Sequence, residues 1–377
     1  MLQLPMKNII LTTLNARYSH TSLGLRYLIA NLKELKEKEE ILEFVINSSN
    51  QTIAEKILET KPKIVGIGVY IWNAYDVGEL VKIIKKVSPQ TIVVLGGPEV
   101  SYTPLRVNFD MADYIISGEG EVTFYDLCKE ILEGNCTQPR VIYSPKVDFA
   151  SIALPYDDYT AFDIANRHVY VENARGCPFE CEFCLSSIDS KMRYIDVDVF
   201  LNEIDKLWKR GARNFKFIDR TFNIKISYAK AILNYFLEKE EDYFLHFEVI
   251  PDNFPDELRD LIKQFKAGAL QLEVGIQTLN LDVAKEIRRN LRIEKIKENL
   301  KFLSQETHAH LHIDLIVGLP SESIESFGKN LDLLYTLSTG EIQIGILKKL
   351  SGTTLDRHDK IYGMVYSDLP PYDILQN

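Results

Sequence analysis

The sequence predicts an α/β protein built from two consecutive β/α domains. Strand-sized apolar runs, such as Ile64–Ile71 and Ile92–Gly97, alternate with amphipathic helical patterns along most of the chain. Parallel strands need a long crossover connection, usually a helix, so this alternation predicts parallel sheets covered by helices. The length of 377 residues is well above that of one typical domain and accommodates two such units.

The first β/α series fills residues 1–140, for which we predict a doubly wound sheet. The predicted strands are Asn8–Leu14, Leu42–Asn47, Ile64–Tyr70, Thr91–Leu95 and Tyr114–Ser117. The predicted helices between them are Leu23–Lys36, Thr52–Thr60 and Asp76–Val87. Ligands of such sheets bind beyond the carboxyl ends of the strands, so we expect a binding site in the loops there.

The second series follows residues 141–168, which show no clear period and contain Pro145 and Pro155, and which we interpret as a linker. Six strands are predicted within residues 169–350: Val169–Asn173, Asn214–Asp219, Phe244–Ile250, Ala269–Ile276, His310–Val317 and Glu341–Leu347. Six β/α units predict a partial (β/α)6 barrel of the TIM-like kind, with active-site residues at strand carboxyl ends. We interpret residues 351–377 as the start of a further C-terminal segment. We therefore expect the chain to be a truncated form of a longer protein.

Composition and charge limit the classes of function. Lys and Arg total 44 against 54 Asp and Glu, and the net charge of −10 argues against a broad nucleic-acid-binding surface. No apolar run approaches the roughly 20 residues that span a bilayer, so we expect no membrane association. The N-terminus lacks the pattern of a secretory signal, which favours a cytoplasmic location.

Three of the five cysteines, Cys177, Cys181 and Cys184, follow the first strand of the second series in a C-x3-C-x2-C spacing. A loop with this spacing can hold three corners of a [4Fe–4S] cubane and leave the fourth iron open to a substrate. Structural zinc normally takes four protein ligands, and no fourth Cys or His stands nearby, so zinc is disfavoured. The other two cysteines, Cys128 and Cys136, are interpreted as a core residue and a surface thiol.

The run Ala174–Cys184 resembles the defining motif of the radical S-adenosylmethionine (radical SAM) superfamily, C-x3-C-x-aromatic-C, with Phe183 as the aromatic residue. In that family the open iron binds the amino and carboxylate groups of S-adenosylmethionine. One electron then breaks the sulfonium bond and yields a 5′-deoxyadenosyl radical. The resemblance therefore implies a [4Fe–4S] cluster, S-adenosylmethionine and a reductant such as flavodoxin or ferredoxin.

Two further strand ends fit the same family. Phe217–Asn223 lies where the family meets the methionine amino group, but the usual Gly-Gly-Glu is absent and Asp219, Arg220 and Thr221 occupy its place. Glu248 ends the third strand, where the family often contacts the ribose. The resemblance implies that Asp219, Arg220 and Glu248, with Tyr194, orient the reacting groups.

The fourth and fifth strands carry two more such patterns. Leu272–Asn280 resembles the E-x-G-x-Q/E-S/T pattern and supplies Glu273 and Gln277. Asp314–Pro320 resembles the D-x-I-x-G-L-P signature that packs near adenine, and supplies Gly318. Each residue also has an ordinary interpretation, as a solvated strand-end carboxylate or as a turn residue.

The first domain resembles the cobalamin-binding Rossmann-like domain that precedes many radical SAM enzymes. The resemblance rests on Ser22–Leu28, Leu95–Ser101 and Ser117–Phe124. The cofactor-binding candidates it implies are Ser22, Gly24, Gly96, Gly97, Pro98, Gly118, Glu119 and Gly120, with Tyr70 and Trp72 shaping the corrin pocket. His20 lacks the D-x-H-x-x-G context of a cobalt ligand and is interpreted as a loop histidine.

The main hypothesis is a cobalamin-dependent radical SAM enzyme that methylates an unactivated carbon of an unknown substrate. In such enzymes methylcobalamin donates the methyl group, and a second S-adenosylmethionine restores it. A first alternative is a non-methylating radical rearrangement, cyclisation or oxidation. A second is a redox sensor or cobalamin-storage protein without turnover. A methylthiotransferase is disfavoured because the first domain lacks that group's additional cluster cysteines.

Overall fold

A computed structural model of the protein describes residues 7–377, which divide into two compact units. The first unit comprises the described residues up to His168 together with Asp368–Pro371. The second comprises Val169–Ser367 and Tyr372–Asn377. No helix among residues 7–377 is long and apolar enough to cross a membrane.

The first unit contains a parallel sheet whose strands follow the order β2-β1-β3-β4-β5-β6. The strands are β1 Ile9–Asn15, β2 Glu39–Val45, β3 Ile64–Gly68, β4 Ile92–Gly96, β5 Tyr114–Ser117 and β6 Val141–Tyr143. The helices are α1 Leu23–Ala30, α2 Asn50–Leu58, α3 Ala74–Val87, α4 Pro98–Ser101, α5 Glu121–Glu133 and α6 Ala161–Asn166. The strand order reverses direction between β1 and β3, which is the topological switch point of a doubly wound sheet.

Alternate residues of β1 pack on opposite faces of this sheet. Ile10 and Leu14 belong to the core formed with α2 and α3. Ile9 and Leu11 belong to the core formed with α1 and α5. Because successive strand side chains point to opposite faces, a strand covered on both sides reads as a continuous apolar run. The predicted doubly wound domain is therefore confirmed.

The segment expected to be a linker, residues 141–168, folds as part of the first unit. Its strand β6 pairs with β5 at the sheet edge. Its helix α6 contributes Asp163, whose carboxylate lies 3.0 Å from the buried guanidinium of Arg26 in α1. Glu43 of β2 is the second acidic partner of Arg26, at 2.9 Å. Ion pairs between residues so far apart in the chain produce no periodic pattern in the local sequence. For this reason the sequence of residues 141–168 resembles that of a linker.

We predict that Arg26→Ala destabilises the first unit by about 3 kcal/mol, because it leaves the buried carboxylates of Glu43 and Asp163 with less compensating charge. Lys56→Ala is the matched control, since Lys56 pairs with Glu59 on the surface and such pairs contribute at most about 1 kcal/mol. Urea unfolding of both variants measures the difference. Equal losses in the two variants would contradict a structural role for the buried ion pairs.

The second unit contains a six-stranded parallel sheet in the order β14-β13-β12-β11-β10-β7. Its strands are β7 Val169–Val171, β10 Asn214–Phe217, β11 Phe244–Val249, β12 Leu270–Gln277, β13 His310–Val317 and β14 Glu341–Ile346. Two short antiparallel pairs accompany it: β8 Ala174–Arg175 with β9 Arg193–Tyr194, and β15 Val365–Tyr366 with β16 Ile374–Gln376. The strand sequence matches the predicted partial barrel.

Helices connect these strands and cover one face of the sheet. They are α7 Val197–Lys209, α8 Ile226–Leu237, α9 Asp256–Ile262, α10 Leu281–Glu286, α11 Ile293–Glu306, α12 Ile324–Leu337 and α13 Asp356–Tyr362. In β12, Leu272 and Val274 are buried, whereas the alternate residues Gln271 and Glu273 are only partly buried. The alternation shows that the inner face of the partial barrel carries polar groups, and these groups line the site described next.

Candidate active site and cofactor sites

The inner face of the second unit encloses a cavity of about 840 Å³. Its lining combines the cysteine loop with side chains from the inner face of five strands and the loops that follow them. Among the lining residues are Cys177, Cys181, Cys184, Phe179, Phe183, Lys216, Arg220, Thr221, His246, Glu248, Asn253, Glu273, Gly275, Gln277, Arg289, Arg292, Asp314 and Gln343. The parallel register brings these residues together because strand carboxyl ends share one edge.

The cysteine loop is enclosed by the β8–β9 pair and has a defined backbone path. Gly176 has φ +96°, and a Cβ there would lie 2.6 Å from the carbonyl oxygen of Lys191, so only glycine fits. The Cys177 N–H donates to the carbonyl of Asp189 at 2.8 Å, and the Cys184 N–H donates to the carbonyl of Cys181 at 3.1 Å. None of these three thiols is in a disulfide.

The donor set fits an iron–sulfur cluster with one open iron. All three thiols line the same cavity, and thiolate is the usual protein ligand of such clusters. Polar groups of the cavity remain available to meet a ligand of the open iron.

A buried glutamate within the loop, Glu182, holds the cysteines in place. Its carboxylate lies 2.8 Å from Nε of Arg357, 3.0 Å from Nε of Arg288 and 2.7 Å from Nε2 of His358. Its backbone N–H donates to the carbonyl of Ile287 at 3.2 Å. No local pattern in the sequence indicates this role, because the partners of Glu182 stand more than 100 positions further along the chain.

Arg289 is a second residue that the sequence analysis missed. Its Nη1 lies 3.4 Å from Sγ of Cys181, and its Nη2 donates to the carbonyl of Gly275. A guanidinium beside a thiolate sulfur donates a charge-assisted hydrogen bond. Such hydrogen bonds to cluster sulfurs raise the reduction potential of an iron–sulfur centre.

The predicted residues Arg220 and Glu248 meet at the cavity wall. The Arg220 guanidinium donates to both carboxylate oxygens of Glu248, at 2.9 and 3.2 Å, and this pairing raises the pKa of Arg220. About 56% of the Arg220 side chain stays exposed, so further N–H groups face the cavity. The geometry is that of an anion-binding guanidinium held in position by a carboxylate.

Asp219 is not among the residues that line the cavity. It is buried and accepts a hydrogen bond from the N–H of Asn173 at 3.0 Å, between the ends of β10 and β7. Burial raises its pKa to about 7, against the opposing effect of that hydrogen bond. Tyr194 also lies outside the lining, with its ring against Tyr228 and the ammonium of Lys225. Both residues are placed to position the strand ends instead of touching a ligand.

Glu273, Gln277 and Phe183 line the cavity as expected, whereas Gly318 does not. Gln277 has φ +69° at a bulge in β12, which turns its side chain from the regular register. Gly318 has φ +89°, and a Cβ there would lie 2.5 Å from Cγ2 of Ile374. The glycine of the fifth-strand signature thus permits the close approach of β16.

Two carboxyl groups of the cavity have opposite pKa shifts. Burial acts to raise the pKa of Glu273, but the hydrogen bond from His246 at 3.0 Å and the neighbouring His312 outweigh it and hold this pKa below its usual value. Burial, with the charges of Glu273 and Glu248, raises the pKa of Asp314 to about 7. At neutral pH these two groups therefore differ, because Glu273 is an anion and Asp314 is close to its midpoint.

The first unit has a separate groove of about 200 Å³ at the carboxyl ends of β3, β4 and β5. Seven glycines line it: Gly24, Gly66, Gly68, Gly96, Gly97, Gly118 and Gly120. Gly97 has φ +112°, and a Cβ there would lie 2.5 Å from the carbonyl oxygen of Val69. Tyr70 and Glu119 also line the groove, and the Tyr70 ring stacks on Trp72 with centroids 4.6 Å apart.

The groove fits the flat base of a cobalamin tail better than a whole corrin. Its volume lies below the roughly 300–1,000 Å³ of complete small-molecule pockets, and its glycines let backbone atoms approach a ring closely. Ser22, Trp72 and Pro98 support the groove from outside its lining. Ser22 accepts a hydrogen bond from the N–H of Leu25 at the start of α1, and Pro98 opens α4. His20 does not line the groove.

We predict that Glu182→Gln destabilises the second unit by about 2 kcal/mol and lowers iron incorporation, because a neutral amide cannot replace the charge-assisted hydrogen bonds that the buried carboxylate makes with Arg288 and Arg357. Glu180→Gln is the matched control, since Glu180 is an exposed glutamate of the same loop. Urea unfolding and iron content after anaerobic reconstitution measure both effects. If the two variants retain equal iron, Glu182 does not hold the cysteine loop.

We predict that the free energy of unfolding of the Asp314→Asn variant increases relative to that of the unsubstituted protein as pH rises from 5 to 8. A carboxyl group with a pKa raised to about 7 in the folded state favours folding at low pH and loses that contribution as pH rises through 7. After allowance for solvent screening, the expected change is roughly 1–2 kcal/mol. Urea unfolding of the cofactor-free chain measures it, and a difference that does not vary with pH would contradict the raised pKa.

Comparisons with known proteins agree with both sites. The family described as "B12 binding domain" matches residues 9–128, and the radical SAM superfamily matches residues 172–334. The methyltransferase PH0819 of Pyrococcus horikoshii, whose name marks it as uncharacterized, is 26% identical over 84% of this chain and 75% of its own length. The cobalamin-dependent radical SAM methyltransferase TokK of Streptomyces tokunonensis is 24% identical over 83% of this chain, which spans about half of TokK.

A solved structure has a similar fold. It is that of the radical S-adenosylmethionine methyltransferase TsrM from Kitasatospora setae with cobalamin and a [4Fe–4S] cluster bound. It matches with a TM-score of 0.73 over 97% of this chain and 82% of that chain, at 16% identity, which establishes likeness of fold. The chain belongs to the radical S-adenosylmethionine superfamily, in the group that carries a B12 binding domain and whose cofactors are a [4Fe–4S] cluster, S-adenosylmethionine and cobalamin.

Proposed function

We propose that this chain is a cobalamin-dependent radical SAM methyltransferase that adds a methyl group to an unactivated carbon of its substrate. The observation that carries the proposal is the set of three thiols that border a cavity of about 840 Å³ at the ends of parallel strands. The glycine-lined groove of the first unit supports the cobalamin half of the proposal. The name of TokK supports the methyl transfer.

The protein contributes binding and orientation, and the cofactors contribute the reaction itself. When bound, the cluster and S-adenosylmethionine supply hydrogen abstraction from carbon, and cobalamin supplies the methyl group. Cys177, Cys181 and Cys184 would hold the cluster. Gly96, Gly97, Gly118 and Gly120 would accept the cobalamin tail along bare backbone.

Several cavity residues would bind S-adenosylmethionine. The exposed N–H groups of Arg220 would meet its carboxylate, with Glu248 preventing the guanidinium from turning away. Glu273, held as an anion by His246, would accept hydrogen bonds from ribose hydroxyls or from the amino group. Asp314, with a pKa of about 7, would hold or release a proton near its partner carboxylates. Asp219 acts through the backbone of Asn173, ahead of the cysteine loop.

Apolar side chains limit water in the same cavity. Phe179, Phe183, Ile250 and Leu291 line it beside the polar groups. Exclusion of water protects reactive species from side reactions and strengthens the electrostatic interactions of the bound groups. We include in the proposal a flavodoxin or ferredoxin as the electron donor, and a cytoplasmic location, where thiolate ligands stay reduced.

We predict that the anaerobically reconstituted chain, given dithionite and S-adenosylmethionine, forms 5′-deoxyadenosine, and that added cobalamin makes it form S-adenosylhomocysteine as well. The triple variant Cys177→Ala/Cys181→Ala/Cys184→Ala loses 5′-deoxyadenosine formation, because no cluster assembles. Cys136→Ala is the matched control, because this thiol lies in the first unit next to the Tyr114 hydroxyl. Liquid chromatography with mass spectrometry measures both products.

The two products separate the competing functions. 5′-Deoxyadenosine without cobalamin-dependent S-adenosylhomocysteine would favour a non-methylating radical reaction and overturn the methyl transfer. A cluster that assembles but cleaves no S-adenosylmethionine would favour a redox sensor. Cleavage that persists in the triple cysteine variant would refute the assignment of the cluster ligands.

A further inference from the structure

A second cluster of metal-binding side chains lies at the amino end of the partial barrel. His310 is the first residue of β13, and Glu341 is the first residue of β14. His312 follows His310 on the same face of β13 and pairs in register with Glu341. The cysteine loop follows the carboxyl end of β7, so the two groups occupy opposite ends of the parallel strands.

The ligand atoms of these three residues are close enough to share one ion. One nitrogen of each histidine and a carboxylate oxygen of Glu341 all lie within 4.8 Å of one another. Nε2 of His312 lies 3.3 Å, and Nε2 of His310 3.9 Å, from Oε2 of Glu341. Ligands of a tetrahedral ion at about 2.0 Å lie roughly 3.3 Å apart, so small rotations of exposed side chains complete the geometry.

His312 provides a second, independent indication of a ligand. Its Nε2 is buried and makes no hydrogen bond among residues 7–377, although it points to the cluster. Its other nitrogen, Nδ1, lies 3.1 Å from the carboxylate of Glu273 and beside the amide of Gln343. Metal-binding histidines characteristically donate their second N–H to a carboxylate, which fixes the tautomer and leaves the other nitrogen free for the ion.

We propose that His310, His312 and Glu341 bind a divalent first-row transition metal ion of the zinc class. Two imidazoles and one carboxylate are a common ligand set for zinc and for non-haem iron, with a further position open to water. His310 and Glu341 are more than half exposed, so the ion has a path from solvent. The site differs from the cysteine site in its ligands, its position and its hydrogen bonds.

One hydrogen bond, between His312 and Glu273, links the proposed metal site to the cavity. With Nε2 on the metal, His312 carries its proton on Nδ1 and donates it to Glu273. Glu273 lines the cavity, so the ion would orient a cavity carboxylate from the opposite end of the strands. Glu273 is accordingly a positioning partner of the site, and Glu273→Gln should weaken metal affinity about tenfold without removing a ligand.

Anaerobic titration of the tag-free chain with Co²⁺ tests the proposal, with Zn²⁺ as the competitor. We expect one Co²⁺ per chain, in addition to any held by the three cysteines, with visible d–d bands that Zn²⁺ displaces. Thiolate binding is distinguishable, because it adds an intense near-ultraviolet charge-transfer band that imidazole and carboxylate ligands lack. The cysteine site and its proposed function can therefore fail without affecting this result.

Single substitutions assign the ligands. His310→Ala and, as a second exposed variant, Glu341→Ala should weaken Co²⁺ affinity at least about tenfold. His308→Ala is the matched control, since His308 is an exposed histidine two positions before the site and outside the cluster. Affinity unchanged in both ligand variants, equal loss in the control, or binding with a thiolate band only would overturn the proposal.

Discussion

The arrangement of the active site depends on one buried carboxylate, that of Glu182. Apart from a short helical turn at Leu185–Ile188, the cysteine loop has no regular secondary structure, so backbone hydrogen-bond ladders do not define its shape. Glu182 supplies the missing constraint, because a buried anion is costly unless cations surround it. Its partners Arg357 and His358 belong to α13, beyond the sixth strand of the barrel. The geometry of the three thiols therefore depends on residues that lie outside the sequence motif.

The polar inner face of the partial barrel is the second feature that determines the properties of the active-site cavity. A parallel strand covered by helices on both faces is apolar throughout, as in the first unit, whereas β12 alternates apolar and polar residues. The polar face lets neighbouring carboxyl groups acquire different properties. Glu273 has histidine partners and remains ionised, while Asp314 faces two carboxylates and has a pKa near 7. Charge placement of this kind is typical of catalytic cavities.

In the first unit, seven glycines line the groove proposed to hold the cobalamin tail. Glycines at the ends of β4 and β5 leave a narrow groove, and positive φ values at Gly97 and Gly118 exclude larger residues there. The buried ion pairs of Arg26 join α1, β2 and α6, so the segment before the second sheet belongs to this unit.

The sequence alone determined the two β/α series, the cysteine loop and the glycine turns, because strand period, motif spacing and backbone freedom are local properties. Four of the site residues that it predicts, Arg220, Glu248, Glu273 and Gln277, line the cavity. Only the tertiary structure decided that Gly318 faces β16, that Asp219 is buried, and that residues 141–168 fold with the first sheet. It also revealed Glu182, Arg289 and the His310–His312–Glu341 cluster. Their partners are far apart in the chain, and charge pairing over such distances leaves no period in a sequence.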